Sequence, residues 1–454
     1  MESFKLAVGS ELRVEVAMGD AVVVVMQAGL AELFGVELLV GRPYRLTGTR
    51  VAIYTHHGAT LSVDSTAAPS SRVYTSTAGR ASMERYAQLH AMLHAQRLSA
   101  LKSGAAAAEA KASAENVVDS AAEKVVDKSS AGRGPRVLVA GPPDAGKSSL
   151  ARILAAYAVR SGHAPTFVNL DVGDGGALGV PGCIAAAPLD RSCLEIESSG
   201  AGFVRTVPLA FWLGHSAAAE SAGRFARLVA RLATAVDARL VTWPTADASG
   251  VIVDTCGWAQ HEAGLAALRE TIESFSIDVI LVVGDEWLAG KLDKEFGASL
   301  SVVKLEKVGG LNPAAAAFKR EQGDARVRRY FYGRDAALLP RVVQVAFADV
   351  RVFRIGALNV SSDMAPVGMG GLDPERALRI DLKAAEGAEL KHKLLAVVGD
   401  VTGEKDVAAG SARGWVVVKE VDVEGGWLTL LAPASALEGD GVKYLVAGAV
   451  SWYE

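Results

Sequence analysis

Gly141-Pro142-Pro143-Asp144-Ala145-Gly146-Lys147-Ser148 fits the pattern G-x-x-x-x-G-K-[ST]. Each residue type there has a physical reason. Glycines let a loop curl so that successive backbone N–H groups converge on a phosphate. A lysine neutralises β- and γ-phosphate oxygens, and a serine hydroxyl ligates Mg²⁺. A helix starting at the lysine adds the positive end of its dipole. The expected nucleotide contacts are therefore Gly141, Asp144, Ala145, Gly146, Lys147, Ser148 and Ser149, with Ser148 as a metal ligand.

Phosphate chemistry also needs an acid near the metal. Phe167-Val168-Asn169-Leu170 runs into Asp171, and Val251-Ile252-Val253 runs into Asp254. A carboxylate at the C-terminal end of a buried strand lies near the phosphates, as a metal partner or as a base for an attacking hydroxyl. Asp171 and Asp254 compete for that role, and a plain loop-capping role for Asp171 stays open. No N-K-x-D guanine motif is present, so a GTPase is not expected. Trp258, in Thr255-Cys256-Gly257-Trp258, reads either as a base-stacking surface or as a core side chain.

These residues need elements to hold them. Val137–Ala140 is a continuous apolar run, as a strand buried on both faces requires. It precedes the glycine loop, and a helix is expected from Lys147 to about Arg160. Phe167–Leu170, Val251–Val253 and Val279–Val283 are further buried strands with helical stretches between them, which argues a parallel sheet flanked by helices. Upstream, Phe4–Val8, Leu12–Val16 and Val51–Tyr54 alternate apolar and polar residues between Gly and Pro punctuation, as in a small β-sandwich or barrel. Met83, Tyr86, Leu89 and Leu93 recur at helical spacing, predicting a helix over 83–98. Residues 103–134, rich in Ala, Ser, Glu, Lys and Gly, read as a solvated linker, helical in part at most. After about Gly333, β-like runs return (Arg341–Phe347, Val350–Ile355, Trp415–Val418, Trp427–Leu431), predicting a C-terminal domain of mixed α and β character. The expected division is 1–102, a linker at 103–134, 135–335 and 336–454.

Length and composition bound the remaining possibilities. The chain has 454 residues, room for roughly two to four domains. Its 47 Lys and Arg against 51 Asp and Glu give a net charge of −4, which excludes a wholly basic nucleic-acid wrapper. Three cysteines without a C-x-x-C pair argue against a disulfide framework and a cysteine zinc site. The longest apolar runs fall well short of the ~18 residues of a membrane span. The start shows no signal-peptide pattern, so a soluble intracellular protein is expected.

Several stretches together resemble one family, the eukaryotic polynucleotide 5′-hydroxyl kinases. They are the phosphate loop, Asn169-Leu170-Asp171 followed by Val180-Pro181-Gly182, Thr255-Cys256-Gly257-Trp258, and Tyr330-Phe331-Tyr332-Gly333. Ala31-Glu32-Leu33-Phe34-Gly35-Val36-Glu37-Leu38 and Tyr54-Thr55-His56-His57-Gly58 belong to the same set. The likeness is greatest to the branch that serves as a subunit of the pre-mRNA 3′-end cleavage and polyadenylation machinery (cleavage factor IA type).

The resemblance implies an all-β N-terminal domain leaning on a central P-loop domain, with a small C-terminal α+β domain after it. It implies that Glu11 and Arg50 grip the adenine of ATP, although family members often carry lysine where Arg50 stands. It gives Lys147, Asp171 and Trp258 catalytic roles in active members, with Mg²⁺ held by Ser148 and Asp171. It also implies a scaffold partner, RNA contacted at least indirectly, and a nuclear location. Two departures stand out. Active members resemble Asp-x-x-Gln where this chain has Asp171-Val172-Gly173-Asp174, and the alignment of the lid puts Ala314 and Lys319 where those members have arginines. Arg320, Arg326, Arg328 and Arg329 read as a solvated helical face. Losing one such arginine costs orders of magnitude in phosphoryl-transfer rate. The expectation is a subunit that holds ATP structurally, with an active RNA 5′-hydroxyl kinase as the alternative.

Overall fold

The computed structural model describes residues 1–66, 68–115, 132–173, 178–196, 203–307, 316–333, 336–355, 377–399, 401, 403–433, 436–437 and 442–454. Asp174, Ala314 and the 116–131 part of the expected linker lie outside the described residues.

The N-terminal alternation produces two sheets. One joins strands Glu2–Leu6, Ala59–Asp64, Ala21–Gly29 and Pro43–Thr47. The other joins Val36–Glu37, Glu32–Leu33, Arg50–Thr55, Ser10–Glu15 and Arg72–Ser76. Their inward residues, among them Leu12, Val14, Val22, Val24, Leu46, Ile53 and Leu61, form one apolar core. Because side chains alternate along a strand, burying Leu12 and Val14 turns Glu11, Arg13 and Glu15 to the opposite face, toward the central domain.

A helix spans Arg80–Glu115, longer than the helical spacing alone predicts. Met83, Tyr86, Leu89 and Leu93 are among its buried positions, with Arg97 and Ala100. It continues into the alanine-rich stretch, where alanine's high helix propensity sustains the backbone.

The central domain is a mixed sheet. Strands Ser301–Leu305, Val279–Val283, Arg136–Ala140, Val251–Asp254 and Thr166–Asn169 lie parallel in that order. Cys183–Pro188 and Leu209–Trp212 then extend the sheet antiparallel. The central strands are buried on both faces, with helices Lys147–Arg160, Ala222–Thr242 and Glu262–Ser274 packed on them.

The sheet does not stop at the central domain. Ala210 pairs with Ala412 and Phe211 with Ser411, so strand Ser411–Asp422 continues it into the C-terminal strands Lys393–Val398, Lys443–Ser451 and Val350–Ile355. The C-terminal region is mainly β among the described residues, with a four-residue helix at Ala385–Ala388 and a 3₁₀ segment at Glu404–Ala409.

Candidate nucleotide site at the domain junction

The strand Arg136–Ala140 ends at a loop that turns back before helix Lys147–Arg160. The turn depends on residues that tolerate unusual backbone. Gly141 sits at φ +145°, where an added Cβ would come 2.3 Å from the Val283 carbonyl oxygen. Gly146 caps the helix at φ +95°, and Asp144 adopts φ +57° despite having a side chain. Lys147 is nearly buried, and its Nζ donates to the Pro142 carbonyl at 2.8 Å.

In front of this loop lies a cavity of about 850 Å³ lined by Asp144, Lys147, Ser148, Asp171, Trp258 and Lys319, among others. Asp171 thus faces the cavity, and its Oδ1 also accepts from the Gly173 N–H at 3.0 Å. It is a loop-capping carboxylate and a cavity-lining one at once. Asp254 is wholly buried at the end of its strand, opposite Val139 and Asn169, and does not line this cavity. Burial pushes the Cys256 thiol up to about 12; the nearby Asp171 charge adds to the shift and Lys147 opposes it.

Trp258 answers to both of its readings. It is half-buried, it packs on the apolar core under helix Glu262–Ser274, and it lines the cavity. Gly257 lets its loop press against the phosphate loop, since a Cβ there would lie 2.6 Å from the Pro143 nitrogen.

Gly146 and Ser149 also line a second, smaller pocket of about 120 Å³ on the N-terminal side. Glu11 and Arg50 stand in its wall with Phe34, Tyr54, Met83 and Tyr86. Glu11 is buried, and its Oε1 receives both Nε and Nη2 of Arg13 at 2.7 Å. The pocket exists because the N-terminal domain is docked on the phosphate-loop helix. Buried Glu32 accepts from the Tyr157 hydroxyl and from Arg160 Nη1, the latter at 2.9 Å. Arg160 also bonds Glu37 and the Gly35 carbonyl. The Arg152 guanidinium lies 3.5 Å from the Phe34 ring centroid. Burial, with Glu32 adding to it, raises the Tyr157 hydroxyl above its ordinary pKa.

Helix Ala316–Tyr332 lines the larger cavity from one side and reaches the N-terminal domain beside the smaller one. Lys319 Nζ pairs with Asp144 Oδ2 of the phosphate loop at 2.8 Å. Gln322 Nε2 donates to the Gly48 carbonyl of the N-terminal domain at 3.4 Å, and Arg50 lies 4.8 Å from the Phe318 ring centroid. Its far end is anchored by Val327 and Phe331 in the core and by a Trp415 N–H bond to the Tyr330 hydroxyl. Arg320 is exposed and lines the larger cavity. Arg328 is exposed and stacks near Tyr332, while Arg326 and Arg329 are half-buried and engaged in interactions.

The residues present fit a nucleoside triphosphate with its metal. The loop approaches the neighbouring strand so closely that only glycine fits at position 141, a lysine is held at the loop's centre, and a hydroxyl and a carboxylate share the cavity. Sequence reasoning missed Arg13, Gly79 and the Lys319–Asp144 pair as parts of the site, and carried Gly257 only within the Thr255–Trp258 motif. Only the first had a signal: two residues apart on one strand, Glu11 and Arg13 share a face.

Comparison with known proteins gives a consistent picture. Residues 141–333 match the mRNA cleavage and polyadenylation factor CLP1 P-loop family. Residues 5–100 match the N-terminal beta-sandwich domain of polyadenylation factor, and 338–454 match the pre-mRNA cleavage complex II protein Clp1 family. The chain is 33% identical over 434 residues to the polyribonucleotide 5′-hydroxyl-kinase Clp1 of Xenopus laevis, covering 95% of this chain and 90% of the relative. It is 32% identical over 432 residues to the CLP1 homolog of Anopheles gambiae, covering 95% and 92%. In fold it resembles Clp1p in a wild-type Clp1p–Pcf11p complex, at TM-score 0.79 and 21% identity, over 100% of this chain and 98% of that one. A second Clp1p–Pcf11p structure, described as showing the structural basis for ATP loss in a point mutant, matches equally, with 99% of that chain covered. Similarity across almost the whole length, in all three regions, places this chain in the Clp1 family of pre-mRNA cleavage and polyadenylation factors.

Proposed function

We propose that this chain is a nucleotide-holding subunit of the nuclear pre-mRNA 3′-end cleavage and polyadenylation machinery. It keeps ATP between its N-terminal and central domains and docks a scaffold partner of the Pcf11 kind, reaching RNA chiefly through the complex. The observation that carries this reading is the shared floor of the two cavities. Gly146 and Ser149 line both, so one ligand can lay a base against Glu11 and Arg50 and a phosphate tail along the loop. In this reading Lys147 and the loop amides hold the phosphates, and Ser148 and Asp171 hold Mg²⁺, which when bound neutralises phosphate charge. A ligand touching both domains stabilises only the docked state, by RT ln(1 + [L]/Kd). The same reading divides the chain at 1–102, 103–134, 135–335 and 336–454.

A second reading, an active RNA 5′-hydroxyl kinase, draws on the breadth of the larger cavity. Asp171, Lys147 and Trp258 line it together, with room beyond a triphosphate tail. There Asp171 would accept the proton of an RNA 5′-hydroxyl, and Trp258 would stack on the terminal base, a contact worth about 1–3 kcal/mol. The lid supplies Lys319 rather than an arginine, and that cation is already paired with Asp144. A point charge lacks the planar fork that clamps a transferring phosphoryl group.

One experiment separates the two. Purified chain is incubated with γ-labelled ATP and a 5′-hydroxyl oligoribonucleotide, and a parallel sample is denatured and assayed for released nucleotide. Released ATP, lost in Lys147→Ala, with no label on the RNA is the expected result. Label transfer that Lys147→Ala abolishes would replace the holding reading with the kinase.

A further inference from the structure

We infer that Arg13 is a positioning residue that turns Glu11 into a reader of the amino group at purine C6, with Gly79 supplying the room this needs. The inference rests on the nucleotide-holding reading and concerns its base-binding end.

The geometry begins with the two oxygens of one carboxylate. Glu11 Oε1 is engaged by the Arg13 fork, through Nε and Nη2 at 2.7 Å each. Both side chains are almost fully buried, at 3% and 5% exposure, so solvent does not share the carboxylate. Two charged donors converging on one oxygen hold that oxygen in place and leave the other to accept elsewhere. Oε2, the other oxygen, is aimed at Gly79, where an added Cβ would stand 2.4 Å from it. Gly79 is not in the left-handed backbone region, so its lack of a side chain answers to this contact rather than to backbone strain. It immediately precedes helix Arg80–Glu115, and its carbonyl accepts from the Met83 N–H at 2.9 Å. The helix start and strand Ser10–Glu15 therefore hold the carboxylate between them.

That carboxylate stands in the wall of the small pocket, whose other walls include Phe34, Tyr54, Met83 and Tyr86. Glu15 and Glu32 also line the pocket but already accept from Tyr74 and from Tyr157 and Arg160, so an aromatic base that offers a donor suits the second oxygen of Glu11. Adenine offers its C6 amino group. Guanine and hypoxanthine offer a carbonyl oxygen at C6, which would set acceptor against acceptor. A site built to bond one polar group rejects an analogue lacking it, because the site's own buried group is left unpaired.

The test uses the full chain and titration calorimetry with ATP, inosine triphosphate and purine riboside triphosphate, which carries nothing at C6. Wild type should bind ATP roughly ten- to a hundredfold more tightly than purine riboside triphosphate, as loss of a hydrogen bond to a charged acceptor predicts. Inosine triphosphate should bind no better than the unsubstituted purine. Arg13→Gln and, independently, Gly79→Ala should weaken ATP more than purine riboside triphosphate, reducing the preference to within about threefold. Arg13→Lys, which keeps the charge without the fork, should restore part of the preference. An unchanged preference in folded Arg13→Gln and Gly79→Ala, or equal weakening of all three nucleotides, overturns the inference and leaves the holding reading standing. A wild-type chain that binds none of the three removes that reading and the inference with it.

Discussion

The larger and smaller cavities meet at Gly146 and Ser149 but are made in opposite ways. The larger, about 850 Å³, has its phosphate end shaped by the loop that runs from Gly141 to Ser148, while Asp171, Trp258, the lid helix and Ala449–Ser451 supply its other walls. The smaller, about 120 Å³, is assembled from strand Ser10–Glu15, the hairpin at Phe34, strand Arg50–Thr55 and the start of helix Arg80–Glu115. The phosphate end of the first is a product of local chain geometry. The second is a product of docking, held by Glu32, Tyr157, Arg160 and the Phe34–Arg152 contact. A locally built site should fail through backbone changes within it, whereas a docked site should fail when the domains loosen.

The largest expected effect tests the local half. Gly141→Ala places a Cβ 2.3 Å from the Val283 carbonyl at a φ of +145°. Strain of this kind costs about 1–3 kcal/mol, or the loop moves to avoid it. Triphosphate affinity by calorimetry should fall by roughly a hundredfold or more, in line with losing several phosphate-directed bonds together. Helix Arg80–Glu115 and the N-terminal sandwich should keep their hydrogen-exchange protection. Wild-type affinity in Gly141→Ala would break the claim that the phosphate end of this cavity is set by its backbone.

The same contrast explains what was legible in the sequence. The phosphate loop was readable because its function is written in eight consecutive residues, and the buried strands beside it because burial on both faces leaves an unbroken apolar run. The sandwich was readable from alternation. Glu11 and Arg50 came from resemblance alone, since two charges far apart in sequence carry no local sign that they converge. The Glu11–Arg13 pair was accessible in principle, but only burial distinguishes it from two solvated neighbours. The joining of Ala210–Phe211 to Ser411–Ala412 depends on a pairing across two hundred residues, to which neither strand's pattern points. Lys319 was read as a lost arginine, and its pairing with Asp144 could not be seen before the lid helix was placed on the phosphate loop.

An intermediate effect tests the docked half through acid. His90 and His163 flank the contact between helix Arg80–Glu115 and the end of the phosphate-loop helix. His90 Nε2 lies 3.1 Å from Ser161 Oγ, and His94 Nδ1 lies 2.9 Å from His163 Nε2. Burial first, then the Arg97 charge and the neighbouring His94 imidazole, lowers both His90 and His163 to about 4. In the unfolded chain they titrate near 6.5. Between those values the unfolded state binds more protons, so the contribution to stability is full above about 6.5 and is lost as pH falls toward 4. Hydrogen exchange along 80–100 should therefore rise across that window before exchange at Val137–Ala140 does. His163→Gln should flatten the dependence. A flat profile in wild type, or simultaneous loss of protection in both segments, would erase the distinction between the two halves.

The smallest expected effect lies on the lid. The Lys319–Asp144 pair is partly exposed, with side chains 43% and 30% accessible, so its direct contribution to stability is under about 1 kcal/mol. Its consequence for binding is larger than for folding, because Asp144 sits on the phosphate loop itself. Lys319→Ala would leave that carboxylate facing phosphate oxygens without its partner, and ATP affinity should fall by roughly three- to tenfold. Asp144→Asn in the Lys319→Ala background should recover most of the loss, since the repulsion then disappears with its cause. The preference for ATP over purine riboside triphosphate should not move in either variant, because the proposed reading assigns the base end to residues of another domain. A change in that preference would mean that the lid couples the two cavities energetically, through Phe318 on Arg50 and Gln322 on Gly48.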